Sequence, residues 1–400
     1  MNAVGIDVSK GKSTVAVLRP FGKIFLSPFD VFHNPKELGE LVTLLKSLDG
    51  ETKVVMEYTG NFYLPIAQFL HNNGFFVSVV NAILIHDYGG KSLRKAKTDR
   101  KDALKLASFA LDRWLELPRF TLSSNTRLLL KAYNRQYNQY NKLKVMLKNN
   151  LVSLVDQTFP GIKSFFKTPT KKENGHEKWI DFTNKFPHAE CVSKKSLTSF
   201  EKTYRAWCEK FGYRFTQNNL KGIYELSKNC TPSLKYEEGS VLLIQSSVAQ
   251  LNCIVETQAK LSREMHQLAS SLPEYSVVIN MFGVGTILAP QLIAEIGDIS
   301  RFHSKRALVA FAGLDSPPFQ SGNYNMKSRH ISKRGSAALR KTLFQIMSII
   351  LQNSPSDNTI FNFMDKKRSE GKHFFVYMTA GANKFLRIYY ARVTELLNTL

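Results

Sequence analysis

Short hydrophobic runs rich in β-branched residues alternate with segments of helical periodicity over roughly the first hundred residues. After the third run, Asn34 and Pro35 supply the N-cap and the first position of a helix, and Gly74 marks the end of a second helix. A turn at Pro20-Phe21-Gly22 joins the second and third runs. The pattern predicts five strands, at residues 4–8, 13–18, 23–29, 53–56 and 75–80, and helices that follow Asn34 and cover 62–71.

Two long apolar stripes with steps of three and four residues follow this region. Their spacing predicts long amphipathic helices that form either a helical hairpin or a coiled coil between subunits, with the tyrosines packed in the seam rather than stacked on bases. The stripes run through Tyr133, Tyr137, Tyr140, Leu143, Leu147, Leu151 and Leu154, and through Ile244, Val248, Leu251, Ile254, Leu261, Met265 and Leu268. Between them, residues 160–238 mix basic residues with aromatics such as Trp179, Tyr204, Trp207 and Tyr213, which predicts an inserted subdomain.

Three strands, a helix, a strand, a helix and a strand make up the element order of a ribonuclease-H-like α/β domain. We therefore expect an α/β plus all-α protein with three domains. These are an α/β domain over residues 1–120, the long helices with their basic and aromatic insertion (about 160–240) over 121–275, and a mostly helical domain over 276–400. The uncharged stretch at 276–294 contains Asn280, Gly283 and Pro290, which favours a helix-turn-helix element over a membrane span.

The charge balance indicates the class of partner. Lys and Arg number 55 against 32 Asp and Glu, which leaves a net charge of +23 and a pI near 9.7. Nucleic acid is the expected partner, and no basic amphipathic helix points to a membrane. The four cysteines are widely spaced without a zinc pattern, and Asp7 interrupts the apolar core that a signal peptide needs. These features favour the cytoplasm.

The predicted elements bring four carboxylates to positions where they can lie close together. Asp7 lies in an apolar strand, where an acid is costly unless a cation offsets its charge. Glu57 ends the fourth strand, which adjoins the first in a ribonuclease-H-like sheet. Asp99 and Asp102 are three residues apart, so on a helix they share a face. An oxygen-rich cluster of this kind suits Mg²⁺ or Mn²⁺, and a pair of such ions stabilises the attacking and leaving oxygens of phosphoryl transfer.

Each acid alone has a simpler explanation. Asp7 could be a satisfied structural acid, Glu57 a turn acid before Gly60, and Asp99 a first-turn acid favoured by the helix dipole. Their order along the chain favours catalysis. The flanking cations either face phosphate or form a solvated helix face; they are Lys91, Arg94, Lys95, Lys97, Arg100, Lys101 and Lys105.

The C-terminal part carries a second set of candidates. Gly283 and Gly285 fit a helix-hairpin-helix turn that approaches a phosphate, although tight helix packing explains them equally well. Ser321 follows a proline-rich turn that would expose its hydroxyl, and a Ser-Gly pair alone usually marks only a turn. Residues 316–356 are rich in basic residues and contain no carboxylate, and their candidate phosphate contacts are Lys327, Arg329, Lys333 and Arg334.

Taken together, these motifs resemble the insertion-sequence-110-type transposases and the related Piv-type DNA invertases. The resemblance rests on Gly5-Ile6-Asp7-Val8-Ser9-Lys10, Glu57-Tyr58-Thr59-Gly60, Lys97-Thr98-Asp99-Arg100-Lys101-Asp102-Ala103, Ala310-Phe311-Ala312-Gly313-Leu314, Gln320-Ser321-Gly322 and Ser332-Lys333-Arg334-Gly335. Residues 160–238 look longer than the linker of the family and do not align with it. Their interleaved aromatics and lysines would suit an extended surface that binds irregular RNA.

The resemblance implies a RuvC-like domain whose acidic tetrad, here Asp7, Glu57, Asp99 and Asp102, binds divalent metal. It also implies a C-terminal transposase domain in which Ser321 is the nucleophile. Members look like recombinases guided by a structured (bridge) RNA that pairs with donor and target DNA. They act as homodimers that assemble to tetramers, so that one subunit's acids work with another's serine.

Three rival functions stay open at this point. A RuvC-like junction nuclease would use metal-activated water instead of Ser321. A site-specific DNA invertase of the same family would share the chemistry. A structural nucleic-acid-binding protein would use only the positive charge, and acids beside the bound phosphates would then be unfavourable.

Overall fold

The computed structural model describes residues 1–58, 60–88, 98–166, 175–317 and 330–400, together with the backbone of 320–321 and 324–325. Contacts within the chain divide it into two compact units, Met1–Leu122 and Ser123–Leu400. The first unit is an α/β domain with a mixed sheet of parallel and antiparallel strands, and the second unit is mostly helical.

The first unit is built on a five-stranded sheet with the strand order β3-β2-β1-β4-β5. Strand β1 runs antiparallel to β2 and parallel to β4. The strands β1 to β5 are Asn2–Val8, Lys12–Arg19, Lys23–Phe32, Thr52–Glu57 and Phe76–Val80. The helices α1 to α4 are Pro35–Lys46, Tyr63–Asn72, Ala82–Tyr88 and Asp99–Asp112.

The predicted strands and helices of this unit are confirmed, with ends that shift by at most a few residues. Asn34 caps α1 by accepting a hydrogen bond from the backbone N–H of Glu37 at 2.9 Å. Gly74 has φ = +90°, the left-handed geometry that ends α2. Helix α3 was not predicted, because its seven residues are too few to show a helical period.

The two faces of the sheet bury different cores. Val4, Ile6 and Met56 pack with the leucines of α1 and with α2 on one face. Ala3 and Val55 pack with α4 on the other face. Because alternate residues of a strand point to opposite faces, this division fixes the direction of every side chain at the ends of β1 and β4.

The second unit contains long and short helices around two hydrophobic cores. The helices α5 to α10 are Asn125–Thr158, Lys178–Lys185, Glu190–Ser193, Leu197–Phe211, Gln217–Asn229 and Glu238–Ser270. The helices α11 to α16 are Tyr275–Ile279, Leu288–Ile296, Lys305–Phe311, Ala337–Asn353, Thr359–Ser369 and Phe374–Thr399. A small hairpin pairs β6, Gln320–Ser321, with β7, Tyr324–Asn325.

The two predicted long helices are confirmed as α5 and α10, and they pack against each other within one chain as a helical hairpin. Gln258 donates a hydrogen bond from Nε2 to the carbonyl of Tyr137 at 3.3 Å. Tyr133 and Tyr137 pack against the C-terminal core, as expected for residues in the seam.

Two buried polar contacts join α5 to the C-terminal helices. Arg127 donates two hydrogen bonds to the carboxylate of Glu274, the Nη2–Oε2 distance being 3.0 Å. Asn134 donates from Nδ2 to Oε1 of Glu295 at 2.9 Å. Both acids are only 2% exposed, so these contacts lie inside the unit rather than on its surface.

The aromatic residues of the insertion are core residues, which corrects the expectation that they suit an irregular RNA surface. Trp179, Tyr204, Trp207 and Tyr213 are each at most 5% exposed and lie in one cluster with apolar residues of α5 and α10. Burial of their large rings stabilises the insertion and leaves no free faces for bases.

The uncharged stretch that follows Ser276 forms α11, a turn and α12, as predicted. Across the described ranges, a helix with both the length and the hydrophobicity needed to cross a bilayer is not found.

Candidate functional site

Asp7 and Glu57 face the same side of the sheet at the same end. Asp7 lies two residues after Gly5, and Glu57 lies two residues after Val55, whose side chain faces α4. Gly5 pairs with Val55 in the parallel register, so Asp7 and Glu57 are the next residues on this face. The carboxyl ends of two neighbouring parallel strands therefore present both acids toward α4.

Helix α4 lies directly on β1 at Gly5. A Cβ atom at Gly5 would lie 2.1 Å from the carbonyl oxygen of Ala103 and 2.4 Å from the backbone nitrogen of Ala107. Only glycine permits this approach. Asp99 lies near enough to Lys12, at the start of β2, to help raise its pKa, and the start of β2 pairs with the end of β1, so the first turn of α4 lies at the Asp7 end of the strand.

The start of α4 is fixed by its own cap. Thr98 accepts a hydrogen bond from the backbone N–H of Lys101 at 3.3 Å, and Asp99 and Asp102 both lie in the first turn. Acids are favourable there because the helix dipole is positive at its N-terminus. This is the alternative explanation given for Asp99, and it is compatible with a second role. Asp99 is exposed, whereas Asp7, Glu57 and Asp102 are half-buried.

Asp30 extends this row of acids, and the sequence pattern did not identify it as a candidate. Thr14 pairs with Asp7 on one side and with Asp30 on the other, so all three side chains share the α4 face. Thr14 donates to Oδ1 of Asp30 at 2.7 Å, and Lys12 donates to Oδ2 at 3.0 Å. These two hydrogen bonds lower the pKa of Asp30. Asp30 in turn raises the pKa of Lys12, and the charge of Asp99 adds to that shift.

A complete metal centre is not formed by these side chains. Within the part of the chain that is described, no three histidine, cysteine, aspartate or glutamate residues lie close enough together to hold a metal ion. The expected tetrad is thus brought to one face and one end of the sheet, but its carboxylates are not gathered into a coordinating cluster. Its role as a metal ligand set stays a prediction.

Of the basic candidates in the first unit, Arg100 and Lys101 are exposed on the first turn of α4. Arg100 lies near enough to Asp30 to contribute to lowering its pKa, after the hydrogen bonds from Thr14 and Lys12. Lys95 and Lys97 lie outside the described residues.

In the second unit, hydrogen bonds hold together the two ends of the loop that contains Ser321. Ser332 donates from its backbone N–H to the carbonyl of Asp315 at 2.8 Å and from its hydroxyl to the Asp315 carboxylate. Arg340 donates to the carbonyls of Ala312 and Gly335 at 3.0 and 3.2 Å. These contacts hold the two ends of the loop together. A fixed base is what a reactive group on a loop requires.

The backbone of Ser321 pairs with Tyr324 in the β6–β7 hairpin. Lys333 and Arg334 are exposed where the chain returns to α14. Lys333 has φ = +54°, a left-handed geometry that is uncommon for a residue other than glycine. Lys327 and Arg329 lie outside the described residues.

The two glycines before α12 differ in their surroundings. Gly283 has φ = +82°, and a Cβ there would lie 3.0 Å from Cγ1 of Ile350 in α14, which supports the helix-packing explanation. Gly285 has open space around its Cα and precedes the N-terminus of α12. Gly285 is therefore the one of the pair whose backbone a phosphate can approach.

Comparisons with known proteins match both ends of the chain. A family model of DEDD-type IS110 transposases matches residues 4–160, and a model described as "Transposase IS116/IS110/IS902 family" matches residues 275–360. Together they cover more than half of the chain. It belongs to the IS110-type transposase family. The DNA transposases and recombinases are therefore its enzyme class.

Individual relatives agree with this assignment. The IS110-type chain is 24% identical over 342 residues to the pilin gene-inverting proteins of Moraxella lacunata and Moraxella bovis, a match covering 86% of this chain and 80% of each relative. It is 29% identical over 167 residues to the transposase of insertion sequence IS1111A from Coxiella burnetii, a match covering 38% of this chain and 44% of the relative.

The family matches fall on the two candidate regions. The first covers the sheet, α4 and α5, and the second covers the turn at Gly283, α12 and the loop around Ser321. Residues 161–274 of this IS110-type transposase, which include the insertion and α10, lie between the two matches.

Proposed function

We propose that this chain is an RNA-guided DNA transposase of an insertion sequence that cuts and rejoins strands through a covalent link to Ser321. The observation that carries the proposal is the placement of Asp7, Glu57 and the first turn of α4 on one face and at one end of the sheet. The strand order β3-β2-β1-β4-β5 supports a ribonuclease-H-like, RuvC-like assignment for this unit.

In this proposal Asp7, Glu57, Asp99 and Asp102 hold Mg²⁺ or Mn²⁺. The donor set fits, because it consists of carboxylate oxygens alone, and hard divalent cations prefer such ligands. When bound, the metal stabilises negative charge on the oxygens of the reacting phosphate. The chain itself positions the carboxylates. Gly5 lets α4 approach β1, and the N-cap at Thr98 sets where α4 begins and thus where Asp99 and Asp102 lie.

Ser321 supplies the nucleophile. Its hydroxyl oxygen gives up its proton and bonds to phosphorus, the bond from phosphorus to one sugar oxygen breaks, and that oxygen takes up one proton and leaves as a hydroxyl, so that protons balance overall. The phosphoserine link keeps one ester in place of another, so the reverse reaction rejoins DNA without ATP. The exposed cations Lys333 and Arg334 at the base of the loop are placed to offset charge on the phosphate.

The proposed partners are donor DNA, target DNA and a structured guide RNA. The net charge of +23 supports a large anionic partner, because this surplus would otherwise repel itself. We further propose a homodimer that assembles to a tetramer, in which one subunit's acids act with another's serine.

DNA inversion is the second candidate function. The match to the pilin gene-inverting proteins extends over 86% of this chain, farther than the match to the IS1111A transposase. Inversion uses the same strand cleavage and rejoining on two sites in one DNA molecule, so the arrangement of the sites distinguishes it from transposition.

A covalent-adduct assay tests the chemistry. Labelled element DNA is incubated with protein, guide RNA and Mg²⁺, then denatured, and label that stays on the protein is measured. We expect an adduct with the wild-type chain and with Ser316→Ala, and none with Ser321→Ala, which should still bind nucleic acid. Ser316 is the matched control because it lies in the same loop and its hydroxyl donates a hydrogen bond to the carbonyl of His330, at 3.3 Å.

Each other outcome assigns a different reaction. An adduct that persists in Ser321→Ala and disappears in Ser316→Ala would move the nucleophile to Ser316. Free cut ends without any adduct would indicate a nuclease that uses water. Products in which the segment between two sites has changed orientation would favour the invertase.

A further inference from the structure

A groove of 1030 Å³ lies beside the base of the Ser321 loop in the second unit. Its walls come from α13, from the loop ends near Asp315 and Lys333, from α14 and from the first turns of α16. The groove is partly open to solvent, and its volume is large enough to hold several atoms of a chain-like ligand.

The groove is strongly basic. Arg306, Lys333 and Arg387 line it and are exposed, and no ion pair involves them among the described residues. Among the described residues that line the groove, the only carboxylate is that of Asp315, which accepts a hydrogen bond from Ser332. Cations left without acidic partners along a groove indicate an anionic ligand.

The groove also has an aromatic wall. Phe375 is 71% exposed and Val376 is 50% exposed at the start of α16. The ring centroid of Phe375 lies 6.4 Å from that of Phe344 in α14, and both rings line the groove. An exposed aromatic ring costs free energy in water. A site that bound phosphate alone would need only the cations, so the ring beside them indicates a ligand that also has an apolar face.

We propose that this groove binds an unpaired stretch of nucleic acid, with its phosphates on Arg306, Lys333 and Arg387 and a base stacked on Phe375. Base stacking on exposed aromatics beside a basic track is how proteins hold single strands without reading sequence. A duplex would bring its phosphates, but its bases are stacked on each other and cannot reach the ring. The inference rests on the proposed function, because it holds a strand next to the loop of Ser321.

The test compares Phe375→Ala with Phe374→Ala in the full-length chain. Phe374 is the matched control: it is 49% exposed and adjacent in sequence, but it is not among the residues that line the groove. The probes are fluorescein-labelled oligodeoxythymidine of about twelve nucleotides and an abasic strand of equal length. We expect Phe375→Ala to weaken binding of the thymidine strand by about five-fold or more and to leave abasic binding unchanged. Phe374→Ala should match the wild type with both probes.

A second measurement locates the strand directly. An oligonucleotide carrying 5-bromodeoxyuridine, crosslinked by ultraviolet light, should attach to the peptide that contains Phe375. Arg387→Gln should weaken both the thymidine and the abasic strands and flatten the salt dependence. Equal affinities of wild type and Phe375→Ala for the thymidine strand, or crosslinks confined to other peptides, would overturn the proposal.

The outcome is separable from that of the proposed function. Failure of the groove leaves the Ser321 adduct intact. If no Ser321 adduct forms but Phe375→Ala still weakens binding of the thymidine strand, the recombinase chemistry is refuted and the proposal for the groove stands.

Discussion

Replacing Gly5 by alanine tests whether the contact between β1 and α4 sets the geometry of the acids. The new Cβ would lie 2.1 Å from the carbonyl oxygen of Ala103, whereas ordinary contact begins at 3.4 Å. The two nearest atoms, the carbonyl oxygen of Ala103 and the backbone nitrogen of Ala107, belong to the backbone of α4, so no side chain can rotate away. Helix α4 must therefore move outward by about 1.3 Å, the difference between those two distances.

This shift has two expected consequences. Overpacking of this kind costs about 1–3 kcal/mol of folding free energy. The displaced helix also carries Asp99 and Asp102 away from Asp7, and a misplacement of about 1 Å costs about 100-fold in the rate of a positioned reaction. Gly5→Ala should thus lose both stability and strand cleavage, with the larger fractional loss in cleavage by folded protein.

The matched control is Gly39→Ala. Gly39 lies inside α1, and a Cβ there meets nothing within 4 Å. Alanine at this helical position should raise stability by about 0.5–1 kcal/mol and leave cleavage unchanged. Urea unfolding gives the stability, and cleavage of element DNA in Mg²⁺ with guide RNA gives the rate, at a temperature where circular dichroism shows each variant folded.

Two results would refute the reasoning. Wild-type stability of Gly5→Ala would mean that α4 does not lie on β1 at this residue. A destabilised Gly5→Ala that cleaves at the wild-type rate per folded molecule would mean that the distance between α4 and β1 does not matter to the chemistry.

Further predictions concern metal, charge, RNA and pH. Asp7→Asn should abolish cleavage in Mg²⁺ and keep the fold, whereas Asp156→Asn, an exposed change on α5, should cleave normally. Arg127→Met should cost about 3–5 kcal/mol in urea unfolding because it leaves buried Glu274 without its cation, and adding Glu274→Leu should recover most of the loss. Binding of the element's RNA should exceed that of an unrelated RNA of equal length and weaken steeply with salt, and equal affinities would argue against a dedicated guide. The lowered pKa of Asp30 contributes stability that is present above its ordinary value of 3.8 and lost as pH falls through the folded value, so Asp30→Asn should reduce the acid sensitivity of the urea midpoint below about pH 4.

Local patterns predict the first unit well, because its elements are decided by neighbouring residues. The short, nearly continuous apolar runs in β1, β2 and β4 identify strands that bury both faces, and Asn34 marks where α1 begins. The acids could be located for the same reason: each lies at the end of an element that the pattern identifies.

Residues whose role depends on distant contacts could not be assigned. Asp30, on a largely exposed strand, is by sequence a solvated acid, and only the register through Thr14 brings it into line with Asp7. Gly5 is by sequence one small residue in a strand, and its function depends on the helix that packs over it almost a hundred residues later. The aromatics of the insertion show the converse limit, because composition reports that rings are present but not which way they point.

Charge placement favours a reaction over passive binding. A protein that only bound nucleic acid would gain from cations everywhere along its contact surface and lose from acids beside phosphate. Here Asp7, Glu57, Asp99 and Asp102 occupy one face and end of a sheet in a chain whose net charge is +23. That arrangement is unfavourable for holding DNA unless cations screen the carboxylates, and divalent ions that do so also supply what phosphoryl transfer requires. Removing the four charges should therefore strengthen simple DNA binding while abolishing cleavage, a combination that a purely structural role for these acids does not produce.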